Sequence, residues 1–203
     1  MELISKYRSD SLKQPVKRLV VVQSLAVIAS IVSALMGGPV AVLQQSSGPA
    51  LNLSSDIEGP GWEVTITVNL RVPEGVGVGK AMSEISYPGK TLKFTGAIRG
   101  LSAEAVGAEV TASTEALDDD TSILTVSITA KEGESIPQGV LADLRFMISE
   151  EVPADETTVP LINQVSAWSD EIPRTPIESV TGQDGQVTIT ANPPVFACFF
   201  YMH

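Results

Sequence analysis

His203, the sole histidine, is the last of 203 residues, and Cys198 is the sole cysteine. A Ser-His-Asp or Cys-His constellation needs its imidazole on a rigid element, and a chain terminus is not one. One cysteine forms no internal disulfide and no Cys-based metal site. Acid pairs occur at Glu132 and Glu134, Glu150 and Glu151, and Asp155 and Glu156. A glycosidase holds two carboxylates about 5–9 Å apart in a cleft, whereas these pairs sit in loops near strand ends and read as a solvated rim. Asp118-Asp119-Asp120 has the oxygen chemistry of a Ca²⁺ site but lacks the spaced acidic pattern of a calcium loop, so it reads as a turn. Gly75-Val76-Gly77-Val78-Gly79 lies between strands and opens no helix, unlike a phosphate loop. The residues therefore point to a non-catalytic protein without metal or cofactor.

The chain carries a net −11, unevenly placed. Lys6, Arg8, Lys13, Lys17 and Arg18 outnumber Glu2 and Asp10 at the amino terminus, and the remainder holds 8 basic against 22 acidic residues. Such a balance excludes a nucleic-acid partner, because phosphates are bound by clustered Lys and Arg. Leu19 to Met36 is uncharged and apolar, long enough with its flank to approach a bilayer span of roughly 20 residues. With the basic cluster before it, this stretch predicts a hydrophobic helix that is either a signal peptide, cleaved after Ala34, or an uncleaved membrane anchor. Either reading carries the acidic part out of the cytoplasm. The organisation expected is a leader over 1–43, a linker over 44–49, one domain over 50–190 and a hydrophobic tail over 191–203.

The body reads as strands separated by Gly, Pro and Asp. Val64, Ile66, Val68 and Leu70 alternate with Glu63, Thr65, Thr67 and Asn69; Leu124, Val126 and Ile128 alternate with Thr125, Ser127 and Thr129. Period-2 patterning marks half-buried strands. Val140, Ala142, Leu144, Phe146 and Ile148 predict one face of a further strand, with Leu141, Asp143, Arg145 and Met147 on the other. Ser83 to Gly100 predicts a strand with Ser83, Ile85 and Tyr87 inward, a Pro88-Gly89 corner, and a second strand with Leu92 and Phe94 on the apolar side. Further strands are expected over Thr158–Val165 and Gly185–Thr190. The class is all-β, a sandwich or barrel. Trp62 at a strand start, Tyr87 and Phe94 inward, and Trp168 in a polar loop read as core or corner anchors rather than a sugar-stacking platform.

Four of these stretches resemble, in order, the cohesin module: Trp62–Leu70; ISYPGKTLKFTGAIRG; Gln138–Phe146; and GQDGQVTI near the end. The resemblance covers about residues 50–190. It implies a nine-stranded jelly-roll-like β-sandwich that binds a dockerin-like protein partner and catalyses nothing. The partner face it implies unites the strand before the corner, the strand ending Ile128-Thr129-Ala130 and the strand Val140–Ser149. Its outward residues are then Met82, Glu84, Leu141, Asp143 and Arg145, with Ile128, Lys131 and Glu132 near the rim. The corner lacks the family's Asp, and Met82 and Lys131 stand where many dockerin-binding members carry acids. The expected function is extracellular or cell-surface protein recognition. A carbohydrate-binding sandwich and a structural subunit of an envelope assembly are the alternatives.

Overall fold

Strict alternation needs one buried and one wet face, and two sheets packed face to face supply both. The computed structural model describes residues 48–153 and 155–193, leaving aside the side chains of 155 and 156. The leader over 1–43 and most of the short linker and of the tail lie outside the described residues. The strands are β1 (Ala50–Leu53), β2 (Ser55–Glu58), β3 (Glu63–Arg71), β4 (Val78–Pro88), β5 (Leu92–Arg99), β6 (Glu109–Ala116), β7 (Thr121–Thr129), β8 (Gly139–Ile148), β9 (Asp155–Ser169), β10 (Thr181–Gln183) and β11 (Gly185–Thr190), with one short helix, α1 (Leu101–Ala105). One sheet runs β10-β1-β3-β8-β5, the other β2-β11-β9-β4-β7-β6. Val64, Ile66, Val68, Leu70, Leu124, Val126 and Ile128 are all buried between them.

Eleven strands replace the nine expected because two extended segments each serve both sheets. Residues 50–58 leave the five-stranded sheet at Ser54 and join the six-stranded one; residues 181–190 do the same at Asp184. The two segments pair in parallel on both sides of the switch, Leu51 with Gly182 and Ile57 with Thr188. Where they cross, a Cβ on Gly185 would stand 2.5 Å from the Ser54 carbonyl oxygen, so only glycine fits. Asn163 of β9 ties the crossing together. Its side-chain amide donates to the carbonyls of Leu51 at 3.0 Å and Gln183 at 3.3 Å, and its backbone N–H donates to the Asp184 carboxylate at 2.8 Å.

The Pro88-Gly89 corner carries the chain from one sheet to the other. β4 belongs to the six-stranded sheet and β5 to the five-stranded one, so Ser83–Gly100 is an arch between layers rather than a hairpin. Its ends meet through aromatic rings: Phe146 of β8 packs edge-on against Tyr87 at 5.2 Å and Phe94 at 5.6 Å, contacts worth about 0.5–1.5 kcal/mol each beyond area burial.

Three site expectations are corrected. β8 lies in the opposite sheet from β4 and β7, so no single face unites the three strands. Ile128 is wholly buried, because it continues the inward row of Leu124 and Val126. Leu141 is wholly buried as well. A bulge causes this: Val68 pairs with Ala142 and Asn69 with Val140, so Leu141 has no partner on β3 and turns into the core beside Ala142.

Ser83 faces the core with its hydroxyl buried and without a hydrogen-bond partner. Asn163→Ala is expected to lower stability by about 1–3 kcal/mol, since it strips the buried Leu51 carbonyl and the part-buried Gln183 carbonyl of their donor, whereas Ser83→Ala leaves stability unchanged or raises it by up to ~1 kcal/mol. Urea unfolding of both variants checks this pair of signs. Burial also pushes the Tyr87 phenol above its ordinary 10.0, against weaker opposing contacts from the Ser122 hydroxyl and the Phe94 backbone. The folded state then holds this proton longer than the unfolded state, so the associated stability is intact below pH 10 and declines as pH rises through the folded value. Tyr87→Phe is expected to flatten that alkaline decline in urea titrations run from pH 8 to 11.

Candidate functional site

Strand register fixes which side chains share the outer face of the six-stranded sheet. Across β6, β7, β4 and β9 the rows are Glu109–Thr129–Lys80–Trp168, Thr111–Ser127–Met82–Ser166, Ser113–Thr125–Glu84–Gln164 and Glu115–Ile123–Ser86–Ile162. Met82 stands at the middle, half-buried, flanked across the ladder by Ser127 and Ser166. Glu84 is exposed and makes no hydrogen bond or ion pair among the described residues. Serines flank Met82 on both sides, and Thr125 and Gln164 flank Glu84. Little side-chain entropy would be lost by covering the short side chains around Met82. Ile162 adds an apolar side chain that is 49% exposed.

Trp168 closes one end of this face. It lies in β9 rather than in a polar loop, paired with Lys80, whose ammonium sits 4.7 Å from the ring centroid. Beyond it the flap of residues 170–178 folds back along β9: Ser169 N–H donates to Thr175 O at 2.9 Å and Ile177 N–H to Ala167 O at 2.9 Å. From that flap Arg174 donates to the carbonyls of Ala130 at 2.5 Å and Lys131 at 3.1 Å. Gly79 makes room for the contact, since a Cβ there would lie 2.7 Å from Ser169 O and 2.9 Å from Arg174 Nε. Lys131 and Glu132 thus stand exposed at the rim of the same face as Met82 and Glu84.

Asp143 and Arg145 stand on the outer face of the other sheet. Both already have partners there, a charged one for Arg145 and a hydroxyl for Asp143. Arg145 meets Glu63 at 3.6 Å, Thr95 donates to the same Glu63 at 3.2 Å, and Thr67 donates to Asp143 at 2.9 Å. The eight expected site residues therefore divide: Met82, Glu84, Lys131 and Glu132 share one surface, Asp143 and Arg145 lie on the opposite one, and Ile128 and Leu141 are core. Ile162, Gln164, Ser166 and Trp168 complete the first surface. Their alternation with Leu161, Val165 and Ala167 is visible in the sequence, but the inward Asn163 interrupts its apolar half.

The remaining candidates for chemistry stay apart. Glu132, Glu134, Glu150 and Glu151 are exposed on loops. In the acidic turn, Asp118 accepts backbone N–H groups of Asp120 at 2.8 Å and Thr121 at 2.6 Å, which hold its carboxyl below the usual range. Asp120 pairs with Lys90 at 2.5 Å. Among the described residues no His, Cys, Asp or Glu group is arranged to hold a metal. A groove of about 320 Å³ is lined by Lys90, Thr91, Lys93, Met147, Ser149 and Glu150, and the Ser149 hydroxyl there accepts the Glu151 backbone N–H at 3.4 Å.

No protein-family model and no curated protein sequence matches the chain. Solved structures do. A non-cellulosomal cohesin from the archaeon Archaeoglobus fulgidus matches with a TM-score of 0.54 and 16% identity over 71% of this chain and 92% of its own. The sixth cohesin of scaffoldin B from Acetivibrio cellulolyticus, solved with a dockerin, gives 0.55 and 19% over 70% and 99%. The cohesin of a type I cohesin–dockerin complex from Clostridium thermocellum gives 0.57 and 17% over 70% and 99%. The domain has the cohesin fold, in a strongly diverged sequence.

Arg174→Met removes two charge-assisted hydrogen bonds that pin the flap. Amide exchange at Ser169, Thr175 and Ile177 is expected to accelerate about tenfold or more, with β3 and β8 amides unaffected. Hydrogen exchange followed by NMR tests it.

Proposed function

We propose that this domain is a non-catalytic protein-recognition module whose partner docks on the outer face of the six-stranded sheet, centred on Met82 and Glu84. The carrying observation is the contrast between the two outer faces. On the five-stranded sheet Glu63 and Arg145 pair with each other at 3.6 Å, and Asp143 accepts a hydrogen bond from the Thr67 hydroxyl. On the six-stranded sheet Glu84, between Thr125 and Gln164, has no charged partner among the described residues, and Met82 stands between two serines. A half-buried thioether ringed by small polar groups offers an apolar anchor with an adaptable polar surround. Similar folds solved with dockerins support a protein as partner, and Glu84 asks of that partner a basic group at the matching position. Lys131 and Glu132 at the rim then set orientation more than affinity. In this reading the hydrophobic leader delivers the domain to the outer surface or the medium. Sugar stacking is not favoured, because the ring of Trp168 already carries Lys80.

Binding of the full chain to a panel of dockerins, and to proteins captured from the medium of its source organism, tests the assignment. Met82→Lys and Glu84→Lys are each expected to weaken binding at least about tenfold, roughly 1.4 kcal/mol, and Arg145→Glu on the other face to leave it unchanged. Loss of binding in Arg145→Glu with Met82→Lys unaffected would place the partner on the wrong sheet and overturn the proposal.

A further inference from the structure

The sandwich has four sheet edges, and three are blunted. β2 has 4 residues and β10 has 3. β5 is bulged between Phe94 and Gly96 and carries Lys93 and Arg99. Short strands, bulges and charge are the usual protections of an edge. β6 has none of the first two. It pairs with β7 in unbroken register over 8 residues, and all but Val110 are exposed.

Ladder parity shows which of its backbone groups are open. Gly89 N–H donates to Asp120 O and Ala130 N–H to Gly79 O, so even-numbered β7 residues turn toward β4. Odd-numbered β7 residues therefore turn toward β6, as the bond from Leu117 N–H to Thr121 O confirms. Alternation within an antiparallel ladder then leaves the N–H and C=O groups of Val110, Ala112, Thr114 and Ala116 facing away from the sheet. No other bond is made to them among the described residues.

Side chains decide the occupant. Parity allows a second copy two antiparallel registers of equal overlap: one centred on Ala112 sets Glu109 of each chain directly opposite Glu115 of the other, and one centred on Ser113 sets Glu115 opposite Thr111 and diagonal to Glu109. Like charges so placed are destabilising. The same two glutamates lie on one face, six residues or about 20 Å apart, and invite a strand with Lys or Arg at that spacing. We propose that β6 accepts, as a seventh strand, an extended basic segment of another protein. Recognition would run through four backbone positions and two carboxylates. The site is the backbone edge of the sheet, and its two glutamates form the outermost column of the same outer face that carries Met82 two strands away.

A fluorescent peptide of sequence Lys-Val-Thr-Val-Thr-Val-Lys, titrated into the full chain, tests it. Saturable binding is expected, with slowed hydrogen exchange over Val110–Ala116 and none for the same peptide carrying Glu at both ends. Ala112→Pro removes an outward N–H while sparing the bonds to β7, and is expected to weaken binding at least about tenfold. The double variant Glu109→Lys, Glu115→Lys should invert the preference toward the acidic peptide, which keeps the test decisive if the proline variant is unstable. Absence of saturable binding, equal binding of the acidic peptide, or an undiminished affinity in a folded Ala112→Pro protein would each overturn the proposal. So would dimerisation of the unaltered chain through β6 in light scattering, which would make a second copy the occupant.

Discussion

The sheet arrangement depends on one crossing. Two extended segments leave the five-stranded sheet together and join the six-stranded sheet together, and at that point three groups meet: the Asn163 amide, the Asp184 carboxylate and the bare Cα of Gly185. A strand that changes sheets interrupts both ladders at once and leaves backbone carbonyls in the interior. Those carbonyls need donors, because an unpaired buried polar group forfeits about 1–3 kcal/mol. Asn163 supplies two from a single side chain, to Leu51 and Gln183. It does so from β9, a strand bonded on both sides, so the crossing is anchored to the interior of the sheet and not to its margin.

That anchor propagates to the surface by period two. Asn163 faces in, so Ile162 and Gln164 face out, and the antiparallel register with β4 sets Gln164 beside Glu84 and Ser166 beside Met82. A one-residue slip would exchange the faces entirely. The composition of the outer face is thus tied to the core beneath it. Met82 is on the surface because Ala81 and Ser83 fill the core on either side. The buried, unpaired Ser83 hydroxyl is a local inconsistency in this scheme, and the structure gives no physical account of why serine occupies the position.

Local patterning was legible in the sequence, and the layering was not. Alternation identified β3, β4, β7 and β8 and most of their inward residues, because burial on one face leaves a period that sequence shows directly. It also placed Ile128 in the core, against its position in the partner face that the family likeness implied. Sheet membership leaves no such trace: Pro88-Gly89 is chemically suited equally to a hairpin and to an arch, and only long-range pairing separates β4 from β5. Leu141 was unreadable for another reason. A bulge changes the phase of a strand without changing its composition, so Leu141 and Ala142 point inward in succession where alternation puts one of them outside. β9 runs past Val165 to Ser169 because it stays paired with β4 as far as Val78, with the flap folded along its end, partners visible only in three dimensions.

The domain's few cations explain the sign of its surface. Lys80 is held over Trp168, Arg174 over two carbonyls, Lys90 against Asp120 and Arg145 against Glu63. These contacts engage half of the eight basic residues beyond the leader within the fold, Lys90 and Arg145 while still exposed. Glu84, Glu109 and Glu115 share one outer face with no such match, in a chain whose acids outnumber its bases 22 to 8 beyond the leader. A cleft or face of one sign draws oppositely charged partners at a distance and repels copies of itself. The attraction reaches about 10 Å at 0.1 M salt and shortens as salt rises. The two proposals thus share one electrostatic requirement, a basic partner drawn to the acidic surface before contact is made.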